Sequence, residues 1–434
     1  MPARKGMWTR RQLLAGAGAG LLASLLDPAA RRIAAARTPG THAKGPRYWL
    51  CIVPAGGVDA IYTTDPRTRD EVASGVDVPY KPAEIVEAGG MRLGPLFRGL
   101  RAWAPKLTIV NGVAVSTANH QTGLLQMARL RTSTTRWTPS AFEIIGAHRD
   151  GQAVGYLSIG AQFAAAYTPS MFGEPIEGAY GPAATSLFKL LDQLAPEELA
   201  LAGRVAAEHA ASLARSGPLA GRDASARAAA EQASAFLRKA ATLPPFRAEH
   251  WLQPPLDALD GPLALMSQVQ RVLWSFEHDL VATATVFAAG AWDSHTRNAQ
   301  LQARFTPYLV AILDRLFTEL ERRSNAHGPL SEQTAVVVAS EIGRFPYLNQ
   351  AQGKDHYPQT SVLLYGRPFR KGTFGDTGKQ LEGLPVSSST GRAGGASPAP
   401  LRLDDLGTTA LSLAGIDPEK HGFTGRRLDF LVER

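Results

Sequence analysis

Five apolar runs, three of them leading into a carboxylate, constrain this chain more than any other feature of its sequence. They lie in "RYWLCIVPAGGVD", "KLTIVNGVAV", "LVATATVFAAGAWDSH", "QTAVVVASEIG" and "TSVLLYG". A strand with one wet face alternates apolar and polar residues. Near-continuous runs such as these mean strands covered on both faces. The amphipathic segments "LALMSQVQRVLWSFEHDL" and "PYLVAILDRLFTELERR" precede the third and fourth runs. Strand and helix alternating in this way predict an α/β fold with a mostly parallel sheet. With 434 residues, 44% of them hydrophobic, the chain has ample material for that core.

The stretch from about 187 to 260 differs. It is rich in Ala, Leu, Glu and Arg, breaks at "RSGPLAGRD", and reads as a helical insertion in the sheet domain, used for packing or as a lid. "SSSTGRAGGASPAP" reads as a flexible loop. A single cysteine, Cys51, excludes an internal disulfide and a thiolate metal cluster, and its place in "YWLCIV" makes it a buried structural thiol.

The formal charge of +8 invites a nucleic-acid partner, but the amino terminus accounts for most of it. "MWTRRQLLAGAGAGLLASLL" pairs Arg10 and Arg11 with a mild apolar run, Leu13 to Leu26, and small residues follow at Ala34 to Ala36. The run is too short and too rich in Gly and Ala for a stable membrane span. The segment reads as a twin-arginine export signal over residues 1–36, engaging the twin-arginine export machinery, with a linker over 37–46 and the α/β domain over 47–434. Residues 1–36 hold six Lys/Arg and one Asp, so the remainder carries about +3 and offers no nucleic-acid footprint. The expected location is periplasmic or secreted.

In open α/β sheets ligands bind at the carboxyl ends of the strands. Asp59 follows the first strand, Asp293 and His295 the third, and Glu341 the fourth. Asp355 and His356 precede the fifth, and reach the same rim if that strand is antiparallel or its loop folds over. Carboxylates and neutral imidazoles gathered from separate segments suit a divalent cation: Zn, Mn or Fe for a mixed set, Mg or Ca for an oxygen-rich one. The candidate metal ligands are therefore Asp59, Asp293, His295, Glu341, Asp355 and His356. Alternatives stay open: Asp59 as a turn acceptor, His295 as a core histidine, and Asp355 as the partner that holds a neighbouring imidazole. His120 follows the second strand, with the hydroxyls of Ser116, Thr117 and Thr122 nearby. There is no G-x-S-x-G elbow, Walker loop or G-x-G-x-x-G turn.

These segments together resemble a known family. "GAWDSH", "ASEIGRFPYLNQAQGKDHYP", "SVLLYG" and "LDDLGTTALSLAGIDPEKHGFTGRRL" are similar to motifs of the exported bacterial family labelled domain of unknown function 1501, and "AGGVDAIYTT" resembles its opening segment. That family in turn resembles the alkaline phosphatase and sulfatase superfamily. The resemblance implies an alkaline phosphatase-like three-layer α/β/α sandwich with a metal site at the sheet rim. It also implies that Glu341 stands where the superfamily has a metal-binding Asp, and Ile342 where it has a metal-binding His. The expected function is an exported metal-dependent hydrolase of phosphate or sulfate esters, acting on a small anionic substrate. Arg344 and Asn349 would hold the anionic group, and His356 or His120 would donate a proton to the leaving group. The alternative is a non-catalytic exported binding or assembly protein on the same fold with a degraded metal site.

Overall fold

A computed structural model describes residues 45–133, 139–149, 151–159, 191, 193–215, 220–256, 260–288, 292–394 and 399–433. The segment read as an export signal, and the segment read as a linker as far as residue 44, lie outside these. One eight-stranded sheet organises the chain. Its strands are β1 (Tyr48–Pro54), β2 (Leu107–Ala114), β3 (Val154–Ile159), β4 (Val281–Ala288), β5 (Thr334–Val338), β6 (Gln359–Tyr365), β7 (Gly372–Phe374) and β8 (Leu401–Arg402). They run β7-β2-β6-β5-β1-β4-β3 across the sheet, and β8 also pairs with β2. Only β6 is antiparallel to its neighbours, β2 and β5; every other pairing is parallel. The condition for His356 to reach the rim is therefore met, because an antiparallel strand begins where its parallel neighbours end.

Alternation along the central strand divides the core in two. Tyr48, Leu50 and Ile52 of β1 face one apolar layer, while Trp49, Cys51 and Val53 face the other. Among the described residues, the helices that cover the two faces include α1 (His120–Arg129), α2 (Ala141–Ala147), α3 (Pro196–Arg215), α4 (Ala220–Ala240), α5 (Asp260–Glu277), α6 (Asn298–Arg322) and α7 (Leu403–Leu413). Residues of α3 to α6 pack with Leu50, and residues of α1, α2 and α7 pack with Trp49. This is the mostly parallel sheet, covered on both faces, that the apolar runs predict, and the α/β/α sandwich the resemblance implies. Helices α3 and α4 fall within the stretch of about 187–260, and Leu199, Phe236 and Leu237 join the core on that side. Among the described residues, no helix is long and apolar enough to cross a membrane.

Two elements differ from expectation. Helix α6 starts nine residues before Pro307, where the sequence pattern places its beginning. The early turns carry polar residues, yet Asn298 and Gln302 are buried and make hydrogen bonds into the β1 loop, so tertiary contacts extend the helix past its apolar stripe. Strand β3 was not predicted. Its Gly155 faces Gly146 of α2, where a Cβ on either residue would strike the other's backbone, so these glycines mark a close helix–strand approach.

Helix α2 also carries a pH dependence. Ser140 caps it, its hydroxyl accepting from the Glu143 amide at 2.9 Å, while Glu143 accepts from the Ser140 amide at 2.5 Å. Burial pushes the Glu143 carboxyl up to about 7, against the lowering effect of Ser140 and Arg129. The folded chain thus prefers the neutral acid. That stability is complete below the ordinary carboxyl range and is lost as pH rises through about 7. The loss from this group is roughly 3 kcal/mol. Glu143→Gln keeps an acceptor for the cap and cannot ionise. Chemical denaturation at pH 5 and pH 8 should show the variant gaining on the parent at the higher pH; equal differences at both would contradict the assignment.

Candidate metal centre

Five segments meet at the carboxyl rim of the sheet. The turn after β1 supplies Gly56, Gly57 and Asp59, and the loop after β2 leads through Ala118 to His120 at the first turn of α1. Asp293 and His295 come from the segment after β4, and Glu341 follows β5. A short antiparallel ribbon, Gly343–Arg344 with His356–Tyr357, brings His356 in just before β6. Gly56, at φ +115°, lies against the Asp293 backbone so closely that a Cβ there would collide with it.

His120, Asp293, His295 and His356 converge, and their ligand atoms all lie within 4.8 Å of one another. Asp293 Oδ2 is 3.3 Å from His120 Nε2. Its Oδ1 is 3.3 Å from His295 Nε2 and 3.6 Å from His356 Nε2. The Nε2 atoms of His295 and His356 are 2.8 Å apart. Each imidazole is held from behind through Nδ1: His120 by Glu341 Oε1 at 2.6 Å, His295 by Asp355 Oδ1 at 3.0 Å, and His356 by the Ala118 carbonyl at 2.5 Å. A carbonyl only accepts, so His356 Nδ1 carries the proton; carboxylates draw the protons of the other two to Nδ1 in the same way. In the neutral rings the three Nε2 lone pairs then point at one another beside a carboxylate. His120 Nε2 is buried, with Asp293 Oδ2 3.3 Å away. An inward-facing set of unprotonated nitrogens, each fixed by an acceptor on its far side, is the chemistry of a metal site, and the residues fit a divalent ion.

The electrostatics agree. Burial pushes the Asp293 carboxyl up, but hydrogen bonds to His120, His356 and Arg344 outweigh it and hold the group well below the usual carboxylate range. Burial likewise lowers His120, and the carboxylates of Asp293 and Glu341 outweigh it, raising the imidazole to about 9 in the metal-free chain. The site thus binds positive charge wherever it can, a proton included. At the exposed edge, His295 holds the Asp355 carboxyl low, with Asn349 adding to the effect.

The remaining candidates occupy other positions. Glu341 is fully buried, receives the Gly56 amide on both oxygens at 2.8 and 3.1 Å, and stands behind His120. Asp355 sits on the far side of His295. Asp59 is buried away from the cluster: its Oδ2 meets Lys354 Nζ at 2.8 Å and Asn298 Nδ2 at 2.9 Å, and its Oδ1 accepts from the Ile61 amide at 3.2 Å. Arg344, its side chain 0% exposed, directs its guanidinium at the carbonyls of Gly56 and Lys354 and at Asp293 Oδ1, the last at 2.7 Å. Asn349 donates to the His295 carbonyl and to Asp355, and accepts the amides of Ala351 and Gly353, so it shapes the loop. Ser116 accepts from Gln126, Thr117 from the Asn119 amide, and Ile342 lies in the apolar layer beneath the rim.

Sequence reasoning missed Lys354, Asn298 and Gln302, and placed His120 among the proton donors. The signal for His120 was present in "ANHQTG": an N-cap asparagine just past a strand puts the next residue on the rim at the head of a helix. For Lys354 the signal was its position beside Asp355 and His356.

Residues 260–432 match the family model described as "Protein of unknown function (DUF1501)", so the resemblance read from the motifs holds over that stretch. A comparison with curated proteins gave no match. Among solved structures, the C-terminal periplasmic domain of EcEptC from Escherichia coli is similar at 11% identity and a TM-score of 0.39, over 86% of this chain and 83% of that one. BT1596, a 2-O GAG sulfatase, is similar at 10% identity and a TM-score of 0.31, over 86% of this chain and 71% of that one. Likeness at this level speaks neither to activity nor to substrate.

Proposed function

We propose that the chain is an exported metal-dependent hydrolase of phosphate or sulfate esters. The observation that carries this reading is the convergence of three back-supported imidazole nitrogens and the Asp293 carboxylate at the carboxyl rim of a parallel sheet. His120, Asp293, His295 and His356 would hold the ion. A divalent ion there supplies Lewis acidity toward an ester oxygen and lowers the pKa of a bound water. The chain's own work is positional. Arg344 keeps Asp293 ionised and aimed, and Glu341, Asp355 and the Ala118 carbonyl fix which nitrogen of each ring faces inward. His295, with its side chain 46% exposed, marks the side open to an incoming ester. Helix α1 directs its amino end at the same place, and that pole favours an anionic group. Export rests on the twin-arginine segment and its apolar run.

A second reading, an exported protein that binds an ion without turning over an ester, draws on Arg344 and Asn349. The sequence reading casts both as grips for the substrate, yet Arg344 gives Nη1 and Nη2 to Lys354, Gly56 and Asp293, and Asn349 gives its amide to His295 and Asp355. Assay of the metal-loaded protein on aryl phosphate and aryl sulfate esters separates the two. The hydrolase reading expects turnover of one class that chelation abolishes and metal restores. Stoichiometric metal with no turnover of either ester would favour the second reading.

A further inference from the structure

We infer that the centre holds one ion per chain, of the zinc-like borderline class, and that Lys354 is a built-in cation filling the place between Asp59 and Asp77 where a second ion would otherwise be drawn. This rests on the cluster being a metal centre and not on ester hydrolysis.

The donor set decides the class of ion. Three imidazole nitrogens and one carboxylate suit Zn²⁺, Co²⁺ or Ni²⁺, whereas Mg²⁺ and Ca²⁺ take six or more oxygens. The number of ions follows from the neighbouring charges. Asp59 and Asp77 face a common point, and two carboxylates so placed would recruit a cation. Lys354 Nζ is that cation, 2.8 Å from Asp59 Oδ2 and 3.4 Å from Asp77 Oδ2, over the Tyr62 ring, with its side chain 0% exposed. Asn298 and the Ile61 amide take up further acceptor capacity on Asp59. The backbone of Lys354 ties the arrangement to the centre: its amide donates to the Ser294 carbonyl, between Asp293 and His295, and its carbonyl accepts from Arg344. These are main-chain bonds, independent of the Lys354 side chain, and the residue immediately precedes the segment that brings Asp355 and His356 to the rim.

The test is a metal count. Protein stripped by chelation and reloaded with zinc should retain one equivalent by atomic emission, in the presence of excess magnesium and calcium. Cobalt should give the visible absorption of a low-coordinate nitrogen–oxygen site. Two tightly held ions, or displacement of zinc by magnesium, would overturn the inference. His120→Ala should weaken zinc binding by about 100-fold or more; unchanged affinity would remove His120 from the ligand set. The paired change Asp59→Asn with Lys354→Met deletes both charges and leaves neither alone. It should still bind one zinc near the parent affinity. Loss of zinc from this pair, with its unfolding midpoint preserved, would make Asp59 a ligand and end the proposal; should the pair fail to fold, the parent count and His120→Ala decide. One zinc without turnover keeps this inference and removes the hydrolase, while turnover that needs two ions does the reverse.

Discussion

Asp293→Asn should lower turnover of the responsive ester by about 10³-fold while leaving the fold intact. The amide keeps an oxygen for Arg344, so the buried guanidinium retains an acceptor, and the change removes only the negative charge among three imidazoles. Two losses combine. The ion is held less tightly, and the positive charge it brings is no longer offset at the face of His120, His295 and His356. Circular dichroism melting should match the parent, and zinc titration should show weaker binding. An Asp293→Asn protein with full activity would remove the proposed centre outright, because no other carboxylate among the described residues lies within the cluster.

Lys354→Met should destabilise the chain by about 3–5 kcal/mol, a larger effect than most single substitutions give. The methionine fills the same space, but Asp59 is left as a buried carboxylate with only the Asn298 amide and the Ile61 N–H to hold it. Adding Asp59→Asn should restore most of the loss, because the cost lies in the orphaned charge rather than in a missing contact. Thermal or denaturant unfolding of the two singles and the double makes the cycle. Additive losses would mean that the two groups do not act as a pair.

How much of this was written in the sequence varies with the distance over which each feature acts. The core strands were legible because burial on both faces leaves unbroken apolar runs, and Asp293, His295 and His356 were legible because their places at strand ends fix which rim they reach. The direction of β6 was not legible from the run "TSVLLYG" alone, since parallel and antiparallel buried strands have the same composition. Asp59 shows where spacing fails. A glycine turn delivers it to the rim, yet its charge is claimed by an ammonium from Lys354, hundreds of residues later in the chain. The sequence puts His120 near the rim but does not show the direction of its Nε2, which depends on Glu341 standing behind it. Strand β3 is absent from the sequence reading; its Gly155 gives α2 room to approach.

The scattered origin of the four convergent residues has a consequence in time. His120 precedes β3, Asp293 follows β4, and His356 waits on a ribbon made only when the last long strand is about to be laid down. No short piece of the chain carries the full set, so an ion bound there would not be gathered early and folded around; its capture would be coupled to completion of the sheet. Were residues 1–36 to act as the proposed twin-arginine signal and the cargo to cross folded, an ion held there would be chosen by the compartment where the chain is made, and the abundance of metals at its destination would have little say in what it carries.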